Sequence, residues 1–155
     1  MVTVEITKAF DSGSFGRALE SWEWMEVRGK TPVLASLFGD VILQDASGFW
    51  FLDTVEGSLV WAWASRDELQ STLSTEEGQD QYLLAGLAFA AHDAGITLAE
   101  HEVYSFKVPP VLGGHFDVAN VEPTDFVVAI NLAGQLHEQI KDLPPGSKIS
   151  GFTVE

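Results

Sequence analysis

Four histidines, 23 acidic residues and no cysteine set the chemistry open to this 155-residue chain. Without cysteine there is no thiol nucleophile, no thiolate metal site and no disulfide framework. His137-Glu138 begins like a zinc-protease helix, but Lys141 stands where the second histidine belongs, so the spacing supplies no metal site. His92, His101 and His115 form no close pair. Gly13-Ser-Phe-Gly16 is one residue short of the G-x-S-x-G elbow, so Ser14 reads as a helix cap rather than a nucleophile. Gly113-Gly114 has no phosphate-loop context and reads as a tight or left-handed turn. Asp67/Glu68 and Glu76/Glu77 fall at helix starts, where the macrodipole favours negative charge. Asp40 and Asp45 lack the surrounding calcium-loop pattern. Only a dispersed set, His115, Asp117, His137 and Glu138, leaves an enzyme open, and a cleft would have to assemble it. The residues therefore read as non-enzymatic, with no catalytic group, metal or cofactor assigned.

Trp61 and Trp63 are two residues apart, which on a strand places them on one face. They fit either core packing or an aromatic anchor at a partner surface.

The elements that would carry these residues follow from periodicity. Ser14 caps an expected helix over Phe15–Met25. Val33–Phe38 and Val41–Leu43 read as a bent or interrupted strand region. Phe49–Leu52 and Ser58–Trp63 follow through short turns, so an antiparallel meander is the simplest arrangement. Ser65-Arg-Asp-Glu68 fits a capping box. A helix over Glu77–Ala94, apolar nearly all round and closed by Gly95, is expected to lie central in the core with Leu84, Leu87 and Phe89 buried. Val103–Val108 alternates as a strand with one wet face. Phe126–Leu132 reads as a buried strand, Gly134–Leu143 as a short helix, Pro144-Pro-Gly146 as a turn and Ile149–Val154 as a closing strand. The fold class is α+β: a single domain with an antiparallel or mixed sheet, including a meander, packed against two to four helices.

Charge narrows the partners. The formal net charge is -15, which excludes nucleic acid as a ligand of the usual phosphate-binding kind. From Thr31 to Phe106 there are twelve acids against Arg66 alone, a net of -11. The ten-residue apolar run Tyr82–Ala91 is far short of the roughly 20 residues a membrane helix needs, so no membrane is expected. No secretory signal is read at the start of the chain, and the cytoplasm is the expected location.

Three blocks carry a family resemblance. The first is Phe38-Gly-Asp-Val-Ile-Leu-Gln-Asp45 with Phe51-Leu-Asp-Thr54 and Gly57. The second is Tyr104-Ser-Phe-Lys-Val-Pro-Pro-Val-Leu-Gly-Gly114 with Asn120. The third is Gly134-Gln-Leu-His-Glu-Gln139 with Leu143-Pro-Pro-Gly-Ser-Lys-Ile149. Together they resemble the C-terminal domain of type VI secretion immunity proteins, whose better-known members neutralise a DNase effector. The resemblance spans about 34–152, with residues 1–30 as an N-terminal helical extension of one domain covering 1–155.

What the resemblance implies is an immunity protein that binds and neutralises a cognate type VI toxin effector, a nuclease among the candidates, through protein–protein contact. Asp40, Asp45, Glu56, Trp61 and Trp63 are the candidate contact residues. Pro109, Pro110, Gly113, Gly114, Gln135 and His137 form the structural motif. The alternative is a small-ligand or regulatory binding module, with the Gly113-Gly114 turn and its neighbouring prolines shaping a pocket.

Overall fold

Apolar runs separated by short polar turns build one antiparallel meander. Its strands are β1 (Thr7–Lys8), β2 (Thr31–Ser36), β3 (Val41–Asp45), β4 (Gly48–Asp53) and β5 (Ser58–Trp63), paired in that order. The computed structural model describes residues 6–144; the expected turn at 144–146 runs past them, and the expected closing strand at 149–154 lies outside them. The interrupted strand region of the sequence is a hairpin: Ser36 N donates to the Asp40 carbonyl at 2.8 Å, reversing the chain between β2 and β3.

Both faces of the sheet are covered, as the alternation of its central strands demands. Val41, Leu43 and Leu52 point into one cluster with Phe15, Trp22, Phe126 and Ile130. Ile42, Phe49, Phe51 and Trp63 point into another with Leu69. The first cluster is roofed by α1 (Ser12–Leu19), a 3-10 segment (Glu20–Met25) and the long α5 (Phe126–Ile140). The second lies under α2 (Arg66–Leu73) and the end of α3 (Glu76–Leu83), which contributes Tyr82. A two-stranded sheet of β6 (Glu102–Phe106) and β7 (Val121–Asp125) sits beside α4 (Ala85–Asp93) over a third cluster. The α+β class and the meander hold, with five α-helices among the described residues rather than two to four.

Local capping explains several boundaries. Asp11, not Ser14, caps α1: its Oδ1 accepts from Ser14 N at 2.8 Å, and the helix turns 3-10 after Leu19. Ser65 Oγ caps α2 by accepting from Glu68 N at 3.2 Å, while Glu68 reaches back to Ala64 N at 2.8 Å. The expected capping box thus closes one residue further back.

Two expectations are corrected. The single helix over 77–94 is broken at Leu84, which adopts φ 49° and ψ 44°, and Asp80 Oδ1 accepts from Gly86 N to restart the chain as α4. The break lets Tyr82 face the Phe51–Trp63 cluster while Ala88 and Ala91 face Phe38 and Tyr104. Leu83, Ala85, Ala88 and Ala91 are the buried apolar side chains; Leu84 and Leu87 are half-buried and Phe89 is 38% exposed. Closure at Gly95 is as expected, with Ile96 N donating to the Ala91 carbonyl at 3.0 Å.

The second correction concerns Phe126–Leu132, which is the first half of α5 and not a strand. Asp125 caps it through Val128 N at 3.1 Å, and Phe126, Ile130, Gly134 and His137 fall on its buried face. A short β-branched apolar run does not separate strand from helix by pattern alone. The strand in this region is β7, whose Pro123 argues against a strand in sequence but is tolerated at the edge of a two-stranded ladder. The face of β6 expected to be wet is also partly dry, since Val103 is buried in the first cluster.

The core reading has a direct test. Leu83→Ala should cost about 2–5 kcal/mol of unfolding free energy, whereas Phe89→Ala should cost less than about 1 kcal/mol. Denaturant melts of the two variants decide it, and equal losses would contradict the helix break.

Candidate functional site

Residues from the first and third sequence blocks meet in one buried polar junction. Asp40 is 3% exposed, and its Oδ2 accepts from Ser36 Oγ at 2.9 Å. Its Oδ1 accepts from Thr54 N at 2.8 Å and from Thr54 Oγ1 at 3.1 Å. Ser36 Oγ in turn accepts from the amides of Phe38 and Asp40, each at 3.1 Å. The Thr54 carbonyl lies 3.1 Å from His137 Nε2 on α5. The β2–β3 turn, the β4–β5 loop and α5 are therefore joined through one carboxylate and one imidazole.

Gly57 is required beside that imidazole. Its φ is +79°, and a Cβ there would strike the His137 ring. On its other side the ring lies 5.6 Å from that of Trp22, whose Nε1 donates to the Ile130 carbonyl at 2.9 Å. Gln135 Nε2 donates to Asn131 Oδ1 one turn back, at 2.7 Å.

Burial dominates the titration of both groups. Loss of hydration pushes the Asp40 carboxyl up to about 7, reinforced by the Asp53 charge and opposed by its Thr54 and Ser36 donors. Burial pushes the His137 imidazole down, against the pull of the Thr54 and Val55 backbone.

Asp40 is thus an interior group and offers no surface to a partner, which corrects its place among the contact residues. The sequence missed this because an isolated aspartate before a strand gives no sign of the donors that fold around it. Trp63 is also interior, at 3% exposed, with its Nε1 donating to Thr72 Oγ1 at 3.0 Å. Trp61 is 48% exposed. The two tryptophans do not share a face because the ladder slips: Trp50 pairs with Trp61 and Phe49 with Trp63, leaving Ala62 as the extra residue of a bulge. Asp45 ends β3 and Glu56 lies in the turn after β4, Glu56 exposed and Asp45 partly so. The Ser47 hydroxyl, 2.6 Å from Asp45 Oδ1, holds that carboxyl below its ordinary range.

The proline–glycine loop is built as the sequence implies. Pro110–Leu112 forms a 3-10 turn closed by Gly113 at φ 98°, and Gly113 N and Gly114 N donate to the carbonyls of Pro110 and Pro109. Asn120 clamps the loop, accepting from Val108 N at 2.9 Å and donating to the carbonyls of Val108 and His115. Between this loop, β6–β7 and α5 lies a largely apolar cavity of about 310 Å³, reached by Pro109, Pro110, Phe106, Thr54 and His137.

The dispersed enzyme set is not assembled. His137 lines the apolar cavity, Glu138 lines a separate polar hollow with Glu20 and Glu23, and His115 and Asp117 are exposed on the loop. Among the described residues no three His, Asp or Glu side chains are grouped to hold a metal ion. No described helix is long and apolar enough to cross a membrane.

Fold and site together define a small α+β domain whose shared motif residues serve a buried junction and a clamped loop. Residues 64–137 match the family described as T6SS immunity protein Tdi1, C-terminal, which bears out the resemblance across α2 to His137. The first block and β5 lie ahead of that stretch. A search of curated proteins gives no match. The crystal structure of Atu4351 from Agrobacterium tumefaciens is similar with a TM-score of 0.57 at 16% identity, covering 84% of this chain. That likeness shows a shared fold, and this chain spans 66% of that one's length.

The junction predicts opposed pH effects. Because the folded carboxyl of Asp40 titrates above its unfolded value, its contribution is fully present below about pH 4 and lost as pH rises towards 7. His137, lowered on folding, contributes above about pH 6.5 and loses that contribution as pH falls. Stability curves of Asp40→Asn against wild type should therefore converge or cross in favour of the variant between pH 4 and 7 and run parallel above it. A difference independent of pH would show that Asp40 is ionised throughout.

Proposed function

We propose that this protein is an immunity protein that binds a cognate type VI secretion toxin and blocks it by protein–protein contact. The observation that carries the reading is the match of residues 64–137 to an immunity family. The charge distribution supports it. A toxin that handles nucleic acid must present cationic groups to phosphate, so a nuclease is the toxin class best suited to an inhibitor with a net charge of -15. The single domain acts in the cytoplasm, where such a toxin would find its substrate, and it acts without catalysis. The surface acids Asp45 and Glu56 speed the encounter.

Co-expression with the toxin gene beside it tests the reading: cells should survive, and the purified pair should form a complex. Survival no better than with an empty vector, together with no complex, would sink it. In stopped-flow binding, the on-rate should fall roughly tenfold or more from low to high salt while the off-rate changes less. Neutralising Asp45 and Glu56 together should slow association and leave the melting temperature within a few degrees.

The 310 Å³ cavity favours a second reading, a small-ligand module centred on Pro109 and Pro110. Native mass spectrometry of protein purified from its own host decides it. A retained small molecule lost on Ala133→Trp, which fills the cavity wall, supports this reading; a bare mass with full protection from the toxin counts against it.

A further inference from the structure

The outer side of β5 bonds to no other strand among the described residues. Natural proteins guard such edges with brevity, charge, proline or a bulge, because bare N–H and C=O groups recruit further strands. The other exposed strands show these guards. β1 is two residues long and carries Lys8, and β7 contains Glu122 and Pro123. β5, Ser58-Leu-Val-Trp-Ala-Trp63, has six residues, no charge and no proline; its one irregularity is the bulge at Ala62 near its far end.

The side chains at this edge are also unusually bare. Val60 is 47% exposed and Trp61 is 48% exposed, and as neighbours on a strand they lie on opposite faces of the sheet. Trp61 is held in place by its Nε1, which donates to the Ser47 carbonyl at 3.1 Å. Asp53 and Glu56 stand where β5 begins, and Asp67 and Glu68 stand just past its end. Two bases nearby are drawn over rings, Arg66 over Phe49 at 5.9 Å and Lys30 over Trp50 at 4.4 Å.

We propose that β5 is the docking edge for the toxin, which adds an extended segment as a sixth strand. The added main chain pairs with the free side of β5. Apolar side chains of the segment cover Val60 and Trp61, one on each face, and its lysine or arginine residues meet the acids at the two ends. This rests on the immunity reading above. β5 ends at Trp63, immediately before the stretch that matches the family, so the docking edge lies outside the shared part of the chain.

The test compares wild type with the double variant Val60→Lys, Trp61→Lys, using the purified product of the adjacent toxin gene as probe. Val128→Lys, an equally exposed position on α5, controls for added positive charge. Toxin affinity should fall roughly thirtyfold or more in the edge variant and stay unchanged in the control, with both melting near wild type. Amide exchange of wild-type residues 58–63 should slow when the toxin binds, and this measurement decides the matter even if the double variant fails to fold. Wild-type binding that leaves exchange at 58–63 unchanged, or an edge variant that binds as tightly as wild type, overturns the edge while leaving the immunity reading standing. Absence of any binding by wild type overturns both. Sedimentation supplies the last outcome: a toxin-free dimer dissolved by the edge variant would assign β5 to a second copy of this chain, and the proposal would fall.

Discussion

Everything else in this fold leans on the burial of one carboxylate. Asp40 sits where the β2–β3 turn, the β4–β5 loop and, through Thr54, helix α5 come together. A buried acid persists only when donors surround it, and three hydrogen bonds from Ser36 and Thr54 reach this one. The same bonds fix the geometry of two loops, the β2–β3 turn and the β4–β5 loop. Deleting one partner would leave buried donors unsatisfied, at about 1–3 kcal/mol each, and would loosen the β4–β5 loop from α5.

That constraint gives the sequence blocks their physical meaning. Phe38 to Asp40, Thr54, Gly57 and His137 are the parts of one structural joint. Pro109, Pro110, Gly113, Gly114 and Asn120 are a second joint, a loop clamped by one asparagine side chain. None of these contacts occupies the outer side of β5.

The bulge at Ala62 is the second decisive feature. It turns one tryptophan inward onto Phe51 and Tyr82 and leaves the other facing solvent beside Ser47. One inserted residue thus separates a core position from a surface position two residues apart, and the same insertion increases local twist at the end of the edge strand.

Sequence by itself determined the α+β class, the meander, the cap at Ser65, the helix end at Gly95 and the left-handed turn at Gly113. Each is a local matter of strand alternation, capping chemistry or backbone freedom, and none needs knowledge of what packs nearby. The break at Leu84, the helical state of Phe126–Leu132 and the strand containing Pro123 were decided by tertiary structure. In the first, two halves of an apolar run serve different clusters; in the second, a β-branched segment fits equally well as helix; in the third, an edge position removes the objection to proline. The site divided in the same way. Glu56 stands on the surface as its type suggests and Asp40 does not, while of the two tryptophans Trp61 is exposed and Trp63 buried, because burial of a carboxylate depends on donors 14 residues away and the facing of a tryptophan on a slip in a ladder. Those are relations between segments, and only the folded chain brings the segments together.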